Sequence, residues 1–420
     1  MTATACGLDF GTSNSGIALP VGDAVELVAL EDGATSIPSA IFFGIEPPQA
    51  ALFGRAAVRE YLDGTPGRLM RSLKSLLGSA LIDETTSLGD RNLRFTDVIT
   101  LYLRTLRQRA CADAGKALDD VVLGRPVRFV DDDARRDRKA QQTLAACAKA
   151  AGFRHVEFQL EPIAAAFDYE RTIAREESVL VVDVGGGTAD FTVIRLAPGR
   201  RDRVERGSDV LANDGIHIAG TDFDSRLNLS WVMPPLGYRA VGPKGLPVPS
   251  LVYFDLSTWH RINVLYAPKF LATLRELQSF FSDPVPYRRL TRVIEQRLGH
   301  ELLGQTEVAK IELSNADITS IDLHRIDDHL SVIASRAELL TLLADLLARL
   351  VAVGAATVTA AGLSPAAIST LYFTGGSSGM TALRQAFSTA FPGSRVVVGD
   401  LFGSVVSGLG LDAGRRFGTR

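Results

Sequence analysis

Apolar residues in this chain fall into short runs whose period switches between that of a strand and that of a helix. Ala5 to Phe10 and Val179 to Val182 are β-favouring runs, and each is followed, across a glycine-bearing turn, by another: Ile17 to Leu19 and Phe191 to Ile194. Strand, tight turn, strand predicts a β-hairpin at both places. Short β runs between Val25 and Phe43, broken at Glu31-Asp32-Gly33 and Ser36-Ile37-Pro38, predict a small meander. Leu69, Leu73, Leu76 and Leu77 stand at helical spacing and predict a helix over 68–77. Longer helices are expected over 96–114 and from the Asp131-Asp132-Asp133 cluster to Ala151-Gly152, where acids favour the start and glycine the stop. Between and after them, 121–129 reads as a strand carrying Pro126, 156–160 as another, and 163–173 as an alanine-rich helix. The same alternation returns with a strand at Leu371 to Thr374, a helix to Ala390 and a strand from Arg395 to Val398. Alternating strands and helices predict an α/β core. The most apolar long segment, Ala337 to Leu363, carries Glu338, Asp345 and Arg349 at helical spacings, so it reads as an amphipathic or buried core helix.

Composition changes this picture in three respects. At 420 residues the chain exceeds what one hydrophobic core sustains, so at least two domains are expected. With 46% hydrophobic and 22% charged residues and a net charge of −3, it is a globular chain with no electrostatic reason to bind nucleic acid and no membrane signature. The run Arg200-Arg201-Asp202-Arg203 follows Pro198-Gly199 and reads as a solvated hairpin loop. Cys6, Cys111 and Cys147 lack CxxC pairing and are odd in number, which points to reduced packing thiols and a cytoplasmic setting. Between Ser230 and Asp283 the texture becomes rich in proline and glycine and holds both tryptophans, Trp231 and Trp259, which marks an inserted or partly ordered excursion.

The chemistry lies in the two predicted hairpin tips. Gly7-Leu8-Asp9-Phe10-Gly11-Thr12-Ser13-Asn14-Ser15 and Asp183-Val184-Gly185-Gly186-Gly187-Thr188-Ala189-Asp190 each place an acid at the strand end and glycines with hydroxyls at the turn. Glycines there let consecutive N–H groups converge on one anion, with the Thr or Ser hydroxyl as a further donor. An acid beside a phosphate makes sense only with a cation between them, so Asp9 and Asp183 are expected on the metal side, with Mg²⁺ held through water. No GxxxxGK[ST] is present, and a hairpin replaces the helix of the commoner phosphate loops. Two tips imply one nucleotide held between two lobes.

At this point six ordered blocks resemble the nucleotide-binding domain of the DnaK-type heat-shock 70 chaperones, within the actin, sugar-kinase and heat-shock 70 superfamily. Gly7 to Ser15 and Asp183 to Asp190 are similar to its phosphate loops, Leu160-Glu161-Pro162-Ile163-Ala164-Ala165-Ala166 to its first connecting helix, and His217 to Asp224 to the segment that follows. Glu307-Val308-Ala309-Lys310-Ile311-Glu312-Leu313-Ser314 looks like the helix that contacts adenosine, and Phe373 to Ser378 like the adenosine loop. The resemblance implies an actin-like ATPase fold: two α/β lobes, 1–177 and 178–420, the second with an inserted subdomain at about 225–306. It implies Mg·ATP with Asp9 and Asp183 at the metal, and phosphates held by Gly11, Thr12, Ser13, Asn14, Gly185, Gly186, Gly187 and Thr188. Lys74 looks like the catalytic lysine at the γ-phosphate, with Glu161 and Asp190 orienting water or accepting its proton; Glu307, Lys310, Ser314, Gly375, Gly376 and Ser377 would hold adenosine. Slow hydrolysis driving a switch read by a protein partner or co-chaperone is the implied activity.

Other readings stay open on the residues alone. Glu161 before a proline is also what a helix N-terminus favours, Lys74 on a basic face could be solvated, and Asp190 could pair along its strand. Gly379 stands where the family has a base-stacking arginine, and the family's acid near the last helix is replaced around Phe402. The sequence ends at Arg420 without the family's linker or β-sandwich peptide domain. These departures sustain a second expectation, a non-catalytic nucleotide-binding scaffold. A third, a small-molecule kinase of the superfamily, needs a hydroxyl acceptor between the lobes.

Overall fold

Two twisted sheets organise the chain in the computed structural model, which describes residues 5–45, 51–88, 91–130, 133–201, 203–243, 245–401 and 403–418. The first grows from the N-terminal hairpin. Strand Ala5–Phe10 turns into Asn14–Val21, with Asp9 opposite Gly16 and Phe10 opposite Ser15. Ala24–Leu27 continues the antiparallel side, while Asp120–Arg125 and His155–Leu160 add in parallel on the other. Parallel neighbours need a long crossover. Helix Ala134–Ala151 supplies the last one, capped by the Asp133 carboxylate on the Arg135 and Arg136 N–H groups and ended by Gly152 at φ 113°. Asp131 and Asp132 lie outside the described residues.

The second sheet repeats the scheme. Its order is Val210–Ile216, Ala189–Leu196, Glu177–Val184, Thr370–Thr374, Arg395–Val398: three consecutive antiparallel strands, then two parallel ones. Asp183 faces Asp190 across the hairpin and Thr374 across the parallel pair. Each sheet has its own core, one around Leu8, Phe10, Tyr102 and Leu123, the other around Phe191, Phe223, Phe373 and Phe387.

Helix Ser404–Phe417 joins the two. It packs on Ala5–Phe10, Asn14–Val21 and helix Glu161–Glu170, and the last of these buries Ile163, Ala165 and Phe167 against Val179, Val181 and Tyr372 of the second sheet. The crossing is close because Gly408 has no side chain: a Cβ there would sit 1.9 Å from the Ala164 carbonyl oxygen.

Several predicted elements are corrected. Residues 68–77 are not one helix: Gly67–Arg71 pairs antiparallel with Ala40–Gly44, then Ser72 at φ 56° breaks the direction into a short 3₁₀ turn, Leu73–Leu76. The leucine spacing reflects burial of Leu73 and Leu77 on either side of that turn. The strand expected over 121–129 stops at Arg125, because Pro126 has no N–H to continue the ladder. The alanine-rich helix begins at Glu161, two residues early, with Pro162 in its first turn, and ends at Glu170. The arginine loop is tethered rather than solvated: Arg200 pairs with Asp209, and Arg201 donates to the Glu170 and Ile173 carbonyls at 3.0 and 2.7 Å. Helix Arg336–Ala360 is the one described helix long and apolar enough to cross a membrane, yet Leu339, Leu343, Leu347 and Leu350 are buried against the second sheet's layer. The three cysteines are free, Cys6 and Cys147 buried.

Segment 230–283 carries short helices, including Leu251–Leu256 and Pro268–Leu277, and buries Trp231, Leu236, Tyr253 and Leu256 in the same core as the second sheet. It is an elaboration of that core.

Candidate active site

Both hairpin tips open into one cleft of about 1410 Å³. In the first, the Gly11 carbonyl accepts from Ser39 Oγ at 2.7 Å and the Ser13 carbonyl accepts from Ser39 N–H at 2.9 Å. In the second, the Gly185 carbonyl accepts from Gly220 N–H and Ser377 Oγ, and the Gly186 carbonyl from both the N–H and the hydroxyl of Thr221. Both tips thus have their carbonyls drawn backwards. What such a turn then offers in front is N–H and hydroxyl donors, the surface an anion requires. The tips also meet: a Cβ on Gly186 would lie 2.8 Å from Ser13 Oγ.

Four carboxylates surround one lysine beneath the tips. Lys74, buried in its 3₁₀ turn, pairs with Glu161 at the head of its helix. Gly124 makes room for it, since a Cβ there would come within 3.2 Å of Glu161 Cγ. Burial pushes Asp9 up to about 7, with Glu161 adding to the effect and Lys74 opposing it. Burial pushes Asp183 up to about 8, helped by Asp190, Glu161 and Asp9 and again opposed by Lys74. Burial on its own would drain the Lys74 proton, but Glu161 and Asp9 outweigh it and hold the ammonium above its ordinary range. Asp190 accepts from Thr188 Oγ1 at 3.4 Å. Gly375, at φ 81°, belongs to this architecture because a Cβ there would fall 2.3 Å from Asp183 Oδ1.

This donor set has too many negative charges for its one cation, so buried carboxyls cling to protons. Among the described residues no three His, Cys, Asp or Glu side chains are arranged to hold a metal directly. Two carboxylates, Asp9 and Asp183, lining the cleft beside two anion-ready turns suit a cation that keeps most of its water, which is the habit of Mg²⁺.

Towards its other end the cleft is lined by Glu307, Lys310 and Ser314 from helix Gly299–Glu312 and the turn after it, opposite Gly375, Gly376 and Ser377. Lys310 Nζ pairs with Asp224 at 2.6 Å, and burial lifts that carboxyl to about 6 despite the lysine. Thr381 Oγ1 donates to the Ser314 carbonyl at 3.1 Å, which ties the two walls together. Leu401 Cδ1 lies 2.9 Å from where a Cβ on Gly379 would stand, so leucine fills the space that a side chain at 379 would enter. Phe402 lies outside the described residues.

Every residue singled out in the sequence as a site residue therefore lines this one cleft. The buried Lys74 is not on a solvated face, which removes the blander reading of it. Sequence reasoning missed Tyr61, Arg71, Trp259 and His300, which also line it. Arg71 was hidden in a misassigned helix and Trp259 in the proline-rich segment; no local pattern connects the four.

Comparison with known proteins agrees with this geometry. Residues 5–233 and 289–396 match the Hsp70 protein family, and the unmatched stretch between them falls on the segment whose composition departs from the rest. The chain is 28% identical over 253 residues to the chaperone protein HscA of Proteus mirabilis (strain HI4320), covering 56% of this chain and 38% of that protein. It is 30% identical over 253 residues to the HscA homolog of Photobacterium profundum, with the same coverage, and 30% identical over 256 residues to that of Pseudomonas aeruginosa (strain LESB58), covering 56% and 38%. It thus spans well under half the length of these curated relatives. Duplicated sheets, paired tips and a match over most of its length make one conclusion: the chain belongs to the Hsp70 family and has its actin-like ATPase fold.

Proposed function

We propose that this protein binds Mg·ATP between its two lobes, 1–177 and 178–420, and hydrolyses it slowly to drive a conformational change that a protein partner reads. The observation that carries the reading is the convergence of two anion-ready tips on a buried Lys74–Glu161 pair flanked by Asp9 and Asp183. Gly11, Thr12, Ser13 and Asn14 from one side and Gly185 to Thr188 from the other hold the phosphates. Asp9 and Asp183 are the residues that would hold Mg²⁺, whose contribution is to neutralise phosphate charge. Lys74 places a fixed positive charge against the terminal phosphate, where charge neutralisation and positioning are most of what phosphoryl transfer asks. Glu161, held in place by Lys74, and Asp190 orient the attacking water and take its proton. Glu307, Lys310, Ser314, Gly375, Gly376 and Ser377 hold the adenosine. The relatives are named chaperones, which supports a chaperone-type role; a cytoplasmic setting, a co-chaperone as partner and ATP/ADP with Mg²⁺ as cofactors belong to the same proposal.

Single-turnover hydrolysis of labelled ATP, with calorimetric binding alongside, tests this on wild type, Asp183→Ala and Lys74→Ala. Binding with slow release of phosphate in the wild type and none in either variant supports an ATPase. Gly379, with Leu401 in place of a stacking arginine, favours one other reading, a nucleotide-dependent scaffold. Tight binding without phosphate over hours would select it.

A further inference from the structure

A sheet leaves the backbone of its outermost strands open, and each of the two main sheets has two of them. In the first sheet the edges are Ala24–Leu27 and His155–Leu160; in the second they are Val210–Ile216 and Arg395–Val398. An open edge is a template for pairing with another strand, and charged side chains are one way to blunt it. The first three edges carry that protection. Glu26 is exposed on one, His155 and Glu157 on the next, and Asp214, beside Gly215, on the third. The fourth reads Arg-Val-Val-Val and exposes valine instead, with Val396 40% and Val398 43% exposed. The Hsp70 match stops inside this strand, at residue 396.

Which backbone groups lie open follows from the ladder. The strand runs parallel to Thr370–Thr374, with Arg395 beside Thr370 and Val397 beside Tyr372. The Arg395 N–H donates to the Ser369 carbonyl and the Gly399 N–H to the Phe373 carbonyl, both at 2.9 Å. Alternate residues of a strand bond to the same side, so Arg395, Val397 and Gly399 face the sheet, and the N–H and C=O groups of Val396 and Val398 point away from it. Side chains alternate too, but between the two faces. Val397 packs against the layer that holds Tyr169 and Tyr372, and the Arg395 guanidinium is drawn back to Tyr169 and Glu177. Val396 and Val398 stand together on the opposite face.

We infer that Arg395–Val398 is the contact through which two copies of this chain associate, the strand pairing antiparallel with its own counterpart about a two-fold axis at Val397. The sequence suits itself in that register. Val396 and Val398 of one copy exchange their outward backbone hydrogen bonds with Val398 and Val396 of the other, so four valines meet across the seam on one face. Arg395, the one charge in the strand, comes opposite a glycine, Gly399, so no like charges confront each other. The other three edges, with their exposed charges, offer no such apolar match. A strand that pairs with its own copy makes an isologous contact, which closes at two. Four strand residues make a contact smaller than the roughly 1,200 Å² of a standard stable interface, so the association is expected to be reversible and concentration-dependent. It requires no nucleotide and stands apart from the function proposed above.

Sedimentation equilibrium of the full chain tests it. The weight-average mass should rise from that of one chain at about 1 μM towards twice that at about 300 μM. Val396→Pro removes an outward N–H that the single copy does not use, which edge strands tolerate, and should weaken association by about tenfold or more. Val398→Lys places on this edge the kind of charge that guards the others and should weaken it by about as much.

The register is read by cross-linking. In Val397→Cys the two thiols face each other across a non-hydrogen-bonded pair with Cα atoms about 4.5 Å apart, within disulfide reach. Mild oxidation should trap Val397→Cys as a covalent dimer about fivefold more efficiently than Val398→Cys, whose counterpart across the seam is residue 396. The native thiols serve as the background, Cys6 and Cys147 being buried and Cys111 half-buried. Should either edge variant fail to fold, the ratio of trapping at 397 and 398 decides alone. The mass of one chain at every concentration, with no trapping of Val397→Cys, would overturn the self-pairing and leave the edge to a strand of another protein. A dimer unmoved by both Val396→Pro and Val398→Lys would put the contact on another surface and overturn it equally. Stronger trapping of Val398→Cys than of Val397→Cys would overturn the two-fold axis at Val397.

Discussion

The inner end of the cleft and its outer wall are built on different principles. Inside, two turns of four consecutive residues are proposed to hold the phosphates with backbone N–H groups, and Asp9 and Asp183 stand two positions before them in sequence. Outside, four side chains from residues 61, 71, 259 and 300 meet only because the fold brings them together. A backbone device must be written as a contiguous motif, because glycine spacing sets its geometry. A side-chain device leaves no local trace, since any residue of the right type at the right place in space suffices.

The contrast breaks most decisively at Lys74. If the inner end is a catalytic machine, Lys74→Ala should lower single-turnover hydrolysis by about 10²-fold or more while ATP affinity changes by only a few fold, by analogy with the loss of one preorganised charge or donor. Comparable losses in binding and turnover would instead place Lys74 in the architecture that carries the tips, since its removal leaves Glu161 buried without its partner.

The next largest effect concerns the backbone itself. Gly375→Ala forces a side chain into a φ of 81° and against Asp183 Oδ1. The expected loss is about 2–4 kcal/mol of stability in denaturant titrations, from strain and collision together. Trp259→Leu should cost less than that. A stability loss in the wall variant as large as that in the glycine variant would erase the distinction between a built-in turn and an added side-chain wall.

How much of this was legible follows the same division. The hairpins, their acids and their duplication were readable, because Asp-x-Gly recurs in register with β runs at 9–11 and 183–185. Lys74 was readable only through its neighbours' similarity to a family, and the local helix predicted around it was wrong: a leucine spacing that fits a helix also fits a strand followed by a 3₁₀ turn when tertiary pairing with Ala40–Gly44 decides. Pro126 is visible in the sequence, and its missing N–H ends at Arg125 a central strand that the β pattern alone carries to 129. The aromatic wall was invisible, since no periodicity links 61 to 259.

A titration sharpens the inner end. Asp9 and Asp183 are raised to about 7 and 8, burial being the first cause, so each binds its proton more tightly folded than unfolded. The stability this confers is full below about pH 4, the unfolded value, and is lost as pH rises through 7 and then 8. Asp183→Asn, which cannot ionise, should therefore melt a few degrees above wild type at about pH 8.5 and level with it near pH 4. Mg²⁺ with nucleotide should narrow the gap at high pH by supplying the missing positive charge. A wild type whose melting point climbs from pH 6 to about 8.5 without ligand would show that these carboxyls are solvated rather than buried.

The smallest expected effect lies where the two principles meet, at the base end. Gly379 belongs to a glycine turn, like the tips, yet its surroundings are side chains, and Leu401 occupies the space in front of it. Gly379→Arg introduces a guanidinium that can lie over a purine, a contact worth about 0.5–1 kcal/mol at an exposed site, or roughly a two- to fivefold gain in affinity. Leu401 must move by a few tenths of an ångström or more to admit the new Cβ, and that displacement subtracts from the gain. The pair Gly379→Arg with Leu401→Ala removes the obstruction. Calorimetry should thus rank ATP affinity as double variant above Gly379→Arg, with Gly379→Arg at or slightly above wild type. If Leu401→Ala alone tightens ATP as much as the double variant does, the leucine is merely an obstruction and the arginine adds nothing. If Leu401→Ala alone weakens ATP, Leu401 is itself the apolar surface against which the base packs, and the chain has exchanged a cationic stack for an aliphatic one.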